Sequence, residues 1–266
     1  MYDFHTIRNA LRKQQPLIHC ITNPISIHQC ANAILAIGAR PIMAEHPSEV
    51  QEITETADAL MLNLGNITDA RMQSMKISLR TANAQGIPVI LDAVGVACSK
   101  LRRDYIAELL EIAVPTVIKG NYSEIYALHH ASYHSSGVDA DTEVNANVIC
   151  NAAAELAKKY RTTILASGKA DIVSDGTSIA QIKNGAPQLS AVTGTGCMLG
   201  ALCGTYLSVC TGKDASVTAC AVLGICGQLA QTDKGSGSFM VNLMDALSTL
   251  SDAEFEKYKN LEELYL

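Results

Sequence analysis

Residues able to handle a phosphate, a metal or a proton gather in a few stretches of the chain. The first is Thr193-Gly194-Thr195-Gly196-Cys197, inside SAVTGTGCMLGA. Glycines let a backbone come close to a ligand, and the N–H groups of a first helical turn are free to donate. A helix is expected from near Cys197, so those donors and the helix dipole would hold phosphate charge without a cationic side chain. The same glycines also suit an ordinary helix cap. No G-K-[ST] follows at P-loop spacing. The dinucleotide fingerprint belongs in the first strand–helix unit, and this stretch lies in the last.

The second stretch is acidic. Asp92 ends an apolar run, PVILD, and Glu124 lies one turn inside the helix that follows VIKG. Asn121 and Glu124, three apart, can face the same way. Two carboxylates and an amide at strand ends suit Mg²⁺, which takes oxygen ligands and usually keeps water and phosphate around it. Asn121-x-x-Glu124 is also a helix-capping box, and the two roles are compatible. In HHASYH, His130 and His134 have helical metal spacing beside His129. No Glu adjoins the first histidine, so metal binding is not expected there. His19, within an apolar strand, should pack or hydrogen-bond inside. Neither a Ser/His/Asp set nor a G-x-S-x-G elbow is present, so hydrolase chemistry has little support.

Alternating strand and helix patterns must position these groups. Strands are expected at 16–21, 40–44, 58–65, 88–92, 116–120 and 162–167. Helices are expected after Asn23-Pro24 (Asn as cap, Pro at the first helical position), at 48–56, 68–85 closed by Gly86, 101–112, from Tyr122, and at 147–160. ADIVSDGTSIAQIKNG reads as a hairpin turning at Asp175-Gly176. Four helices are expected from 196 onward. Repeated strand–helix units predict an α/β fold: one domain over residues 1–266, with a mainly parallel sheet flanked by helices on both faces. Ligands of such sheets lie beyond the carboxyl ends of the strands. Asn23, Met43, Asn63-Leu64-Gly65, Asp92, Lys119-Gly120-Asn121 and Ser167-Gly168 all fall there.

With 48% hydrophobic and 17% charged residues the chain is globular. Its net charge of −6 and the lack of a basic stripe argue against nucleic acid as a partner. No long apolar run or leader pattern predicts membrane association. Nine cysteines without a C-x-x-C pair, several of them in small-residue helical stretches, read as buried free thiols of a reducing, cytoplasmic setting.

LIHCITN, GARPIMA, VILDAVGV, IKGNYSEI, GVDA, VTGTGCMLGA and DKGSGSF occur in this order. Together, over about residues 10 to 250, they resemble the hydroxyethylthiazole kinases of the ribokinase-like superfamily. HCITN combined with a cysteine at the glycine-loop exit is specific to that family, since ribokinase-like relatives usually carry Asp there. The resemblance implies transfer of the ATP γ-phosphate, with Mg²⁺, to the primary alcohol of 4-methyl-5-(2-hydroxyethyl)thiazole in thiamine salvage. It also implies a homotrimer with active sites between subunits. By motif position, Asn23, Met43 and Gly194 would meet the thiazole, while Lys119, Ser167, Thr193 and Gly196 would meet ATP. Asp92 and Glu124 would serve Mg²⁺, directly or through water, and Cys197 would accept or relay the alcohol proton. A related kinase acting on hydroxymethylpyrimidine or pyridoxal, and a non-catalytic thiazole- or nucleotide-binding protein, are the alternatives.

Three positions depart from the family pattern. Lys119 stands where Arg is common in R-G-N-x-S-E-I, which keeps the charge and loses the bidentate fork. Ala93 replaces the Pro of L-D-P-V-G. Lys169 follows Ser167-Gly168 where T-G-E would place an acid, and it could meet nucleotide phosphates.

Overall fold

The computed structural model describes residues 2–130, 132–133 and 145–265. The stretch GVDA and His134 lie outside the described residues. Through the first half, α1 (Phe4–Gln14), β1 (Leu17–Ile21), α2 (Ile27–Ala36), β2 (Arg40–Ile42), α3 (Val50–Glu55) and β3 (Ala59–Asn63) alternate. They continue as α4 (Asp69–Gln85), β4 (Val89–Asp92), α5 (Lys100–Ile112), β5 (Val117–Asn121) and α6 (Tyr122–His129). After α7 (Ala146–Tyr160) come β6 (Thr163–Ser167) and the hairpin β7 (Asp171–Ser174) and β8 (Ser178–Ile182). The helices α8 (Thr195–Leu207), α9 (Gly212–Leu229), α10 (Ser236–Thr249) and α11 (Asp252–Tyr258) follow, and β9 (Leu261–Tyr265) closes the chain.

Among the described residues nine strands form one sheet, in the order β2-β1-β3-β4-β5-β6-β7-β8-β9. Pairing is parallel from β2 to β6 and antiparallel from β6 to β9. Side chains alternate across the sheet, as strand geometry requires. Ala59 and Met61 of β3 join a core with α1, α2 and α8–α11, while Leu60 and Leu62 join one with α4 and α5. A third cluster packs α6 and α7 on the strands beside β6. Helices therefore cover both faces of a mainly parallel sheet, as expected.

Local signals act as their chemistry dictates. The Thr68 hydroxyl caps α4 by accepting from Arg71 N, and Gly86 ends it at φ +69°. At the β7–β8 turn Gly176 has φ +86°, and Asp175 Oδ1 accepts from the Thr177 and Ser178 amides.

Some expectations need correction. Pro24 does not start α2, whose N-cap is Ser26. Asn23 instead folds a turn by accepting from Ser26 N at 3.2 Å, and its amide nitrogen is engaged elsewhere. β2 stops at Ile42, ahead of Met43. The helix expected at 48–56 spans only Val50–Glu55, and α8 starts at Thr195. α1 and β9 add to the expected elements.

Six of the nine cysteines are buried and none is paired. Among the described residues no helix is long and apolar enough to cross a membrane.

Candidate functional site

Strand order reverses at β1: the chain runs out to β2 and returns on the other side as β3. Loops leaving the carboxyl ends of β1 and β3 diverge, which opens a crevice in a parallel sheet. Asn23 follows β1 and Asn63 ends β3, and these two amides meet at the crevice.

Asn63 is the hub. Its Oδ1 accepts from Gly65 N at 2.7 Å and from Asn23 Nδ2 at 3.3 Å, which turns Nδ2 the opposite way. Asn63 Nδ2 then donates to Cys197 Sγ at 3.3 Å and to Asp92 Oδ2 at 3.2 Å. Asn23 Nδ2 donates to the same sulfur at 3.2 Å. The Cys197 sulfur thus accepts from two side-chain amides, and any S–H hydrogen must point away from both. A β-carbon at residue 65 would come within 2.8 Å of Asn63 Oδ1 and 2.9 Å of Asn23 Nδ2, so the turn requires glycine.

Helix α8 is brought here by its own small residues. Gly196, Gly200 and Gly204 recur every four positions on one face. Added β-carbons would lie 3.2 Å from Asp92 Oδ2 at residue 200 and 3.1 Å from Ile90 Cγ2 at residue 204, so the helix packs its bare backbone on the sheet. Its N-cap is Gly194 at φ +92°, with no side chain capping the first turn. Met198 N closes the first helical bond, to Gly194 O, at 2.9 Å. The amides of Thr195, Gly196 and Cys197 precede that bond and are available as donors. The Thr195 hydroxyl is turned back to Leu189 O at 2.7 Å, which fixes the loop entering the helix.

Beneath that turn lies a buried ion pair. Lys119 Nζ donates to Asp92 Oδ1 at 3.0 Å and Oδ2 at 2.9 Å; the two residues are 3% and 0% exposed. The ammonium would be 3.8 Å from a β-carbon at Gly196, directly under the uncapped turn. Burial raises the Asp92 carboxyl pKa, and Lys119 pulls it part of the way back. Burial works against the Lys119 ammonium, but Asp92, then Cys197 and Glu124, more than restore it. The symmetric contact to both oxygens favours the ionised pair.

Glu124 completes the floor. Its Oε1 accepts from Gly95 N and its Oε2 from Asn121 N, both at 2.7 Å, and Asn121 Oδ1 accepts from Glu124 N at 2.9 Å. The expected capping box is therefore present, and it also ties the loop after β4 to the start of α6. Burial, then Asp92, raise the Glu124 carboxyl to about 7, against Lys119 and the two amides.

The expected site residues divide into two groups. Asn23, Asp92, Lys119, Glu124, Gly194, Gly196 and Cys197 gather at the crevice. Met43 is half-buried against the large core, the Ser167 hydroxyl donates to Gly120 O at 3.4 Å, and Thr193 is exposed. No hydrogen bond joins those three to the cluster among the described residues. Ser167 does stand opposite Asn121 in the β5–β6 register. His19 is buried between Thr54 Oγ1 and Ala44 O at 2.9 Å each, as expected for an internal histidine. His129 bonds His130 and Glu155, and no group of three metal-ligating side chains occurs among the described residues. Beyond the expected residues the site uses Asn63, to which a strand-end position alone assigns no role, and Gly200 and Gly204. Their four-residue spacing was the available signal.

The Hydroxyethylthiazole kinase family model matches residues 8–253. Hydroxyethylthiazole kinase 2 of Clostridium botulinum (strain Hall) is 47% identical over 251 residues, 92% of this chain and 95% of the relative. A solved hydroxyethylthiazole kinase protein from Pyrococcus horikoshii OT3 superposes with a TM-score of 0.90 at 32% identity, covering 98% of both chains. The pyridoxal kinase of Staphylococcus aureus in complex with AMP-PCP and pyridoxal superposes at 0.66 with 12% identity, covering 94% of this chain and 99% of that one. That distant likeness concerns the fold alone. Family model, relative and solved structure agree over nearly the whole length: the chain belongs to the hydroxyethylthiazole kinase family.

Proposed function

We propose that this chain transfers the ATP γ-phosphoryl group to the primary alcohol of 4-methyl-5-(2-hydroxyethyl)thiazole, in thiamine salvage. One observation carries the reading: Cys197 and the uncapped first turn of α8 meet at the crevice, over a buried cation. Phosphoryl transfer is mostly positioning and charge stabilisation. The amides of residues 195–197 hold the migrating group, with the Lys119 ammonium beneath them. The alcohol oxygen bonds to phosphorus as the bond to the ADP oxygen breaks, and the alcohol proton passes to Cys197 Sγ in its thiolate form, which becomes the neutral thiol. Two amides point at that sulfur, which suits it as an acceptor. Asn23, Met43 and Gly194 line the thiazole side. Lys119, Ser167, Thr193 and Gly196 line the ATP side.

Mg²⁺ belongs to this reading as the counter-ion of ATP. Both Asp92 oxygens already accept from Lys119, and each Glu124 oxygen accepts from an amide, so direct coordination by this pair does not fit. Contact through water does fit, and no step runs through a protein-bound metal.

The family resemblance adds one kinase domain and a homotrimer with active sites between subunits, and the free cysteines suit a reducing, cytoplasmic location.

An ATP-consumption screen across thiamine-precursor alcohols, with and without Mg²⁺, tests the reading. Turnover on the thiazole alcohol is expected. Preference for hydroxymethylpyrimidine or pyridoxal would reassign the substrate. Ligand-induced thermal stabilisation without any transfer would make the chain a binding protein.

A further inference from the structure

We infer that Lys169 is the outward-facing cation of the nucleotide half of this site, carried on a turn that Tyr122 holds in place. The inference rests on the reading above, in which ATP lies across the ends of β5 and β6.

Lys119 is turned inward, 3% exposed, with its charge shared between both oxygens of Asp92. Its remaining donor can serve a phosphoryl group under α8, but the rest of a polyphosphate chain needs another cation. β6 lies one strand spacing away, about 4.8 Å. Its last residue, Ser167, pairs with Asn121, and the turn that follows is built rather than loose. The Tyr122 ring lies flat against Gly168, where an added β-carbon would come within 2.5 Å of Cε1. The Tyr122 hydroxyl donates to Ala170 O at 2.5 Å, and Gly168 N donates to Asp171 Oδ1 at 3.1 Å. Lys169, at the tip, is exposed and makes no hydrogen bond or ion pair among the described residues. Tyr122 opens α6, directly after the Asn121 cap that Glu124 completes. The turn carrying Lys169 is thereby fastened to the floor that holds Lys119. Tyr122 is a positioning residue, and Lys169 is the group that meets phosphate oxygens.

The test compares the wild type with Lys169→Ala, Lys169→Glu, Tyr122→Phe and Ser167→Ala. It reads KM for ATP and for the thiazole alcohol, and calorimetric Kd for ADP and adenosine, at low and physiological salt. Lys169→Ala should raise KM for ATP and Kd for ADP roughly 5- to 12-fold at low salt, between an exposed ion pair and a charged hydrogen bond. The effect should shrink with salt, and Lys169→Glu should exceed it. Adenosine binding and KM for the alcohol should move less than the ATP and ADP constants. Tyr122→Phe should shift the ADP constant in the same direction, by less. Unchanged ATP and ADP constants in both Lys169 variants, with an effect of Ser167→Ala, would overturn the role of Lys169 and leave the nucleotide at β6. If Ser167→Ala and the Lys169 variants all leave nucleotide binding unchanged, the placement of ATP falls, and the inference with it. An equal loss of adenosine and ADP binding in the Lys169 variants would mean that the residue shapes the fold of the turn and reads no charge.

Discussion

Replacing Lys119 by methionine isolates the buried pair. Methionine keeps much of the apolar stem and deletes the ammonium, leaving Asp92 with Asn63 Nδ2, at 3.2 Å, as its remaining side-chain donor. The side chains are 4% and 0% exposed, so bulk water replaces the lost partner poorly. Breaking a buried pair by removing one member costs about 3–5 kcal/mol. The variant has a partial escape, because Asp92 can take up a proton. Burial already raises this carboxyl, and Lys119 is the chief influence holding it down. Without Lys119 the folded-state pKa rises further above the unfolded value, so the folded variant holds a proton that the unfolded chain releases. Stability is then retained at acidic pH and lost as pH rises through that window, at about 1.4 kcal/mol per pH unit. A deficit of about 3–5 kcal/mol therefore develops over roughly two to four pH units. Urea unfolding of both proteins from pH 5 to 8 measures it. The Lys119→Met deficit should grow as pH rises, and adding Asp92→Asn should recover part of it at the alkaline end. A deficit below about 1 kcal/mol throughout, or one that shrinks as pH rises, would refute the argument that this pair is ionised and shielded from water.

Other expectations concern the crevice. In single-turnover phosphorylation Cys197→Ala should slow transfer by up to about 100-fold, the lower range for a positioned acid or base. An undiminished rate would remove the thiol from the chemistry, and a fully active Cys197→Asp would mark the position as a base site. Met43→Ala should raise KM for the thiazole alcohol more than for ATP, and equal effects would argue against its place in the thiazole pocket. Gly194→Ala puts a side chain at φ +92° with its β-carbon 3.2 Å from Ser26 Cβ. It should cost about 1–3 kcal/mol in stability and slow transfer, and wild-type behaviour on both counts would separate this cap from catalysis.

Much of the fold was legible because its signals are local. Apolar runs ended by Gly or Asp located the parallel strands, and caps such as Thr68 and Gly86 bounded helices through single hydrogen bonds. Asn23-Pro24 misled because a helix start and a turn use the same residues, and a tertiary demand decided between them: the Asn23 amide is drawn to Cys197 and Asn63. β9 was hidden because LEELY lacks a clean alternation and pairs β8 from the far end of the chain. In the site, residue types at strand ends pointed to the crevice, and the Asn121–Glu124 box was readable from its spacing. The partner of Asp92 was not. Lys119 was expected to reach ATP, and only the β4–β5 register, which sets Asp92 beside Lys119, brings out the ion pair. Asn63 stands among the strand ends without a role, because an amide there carries no signal of its own until Gly65 fixes which way it faces.

A structure of the chain with a non-hydrolysable ATP analogue and the thiazole alcohol tests the central claim most directly. The terminal phosphate should lie within about 3 Å of the amide nitrogens of residues 195–197, with the alcohol oxygen beside Cys197 Sγ. A terminal phosphate held elsewhere, out of hydrogen-bond reach of the first turn of α8, would contradict it.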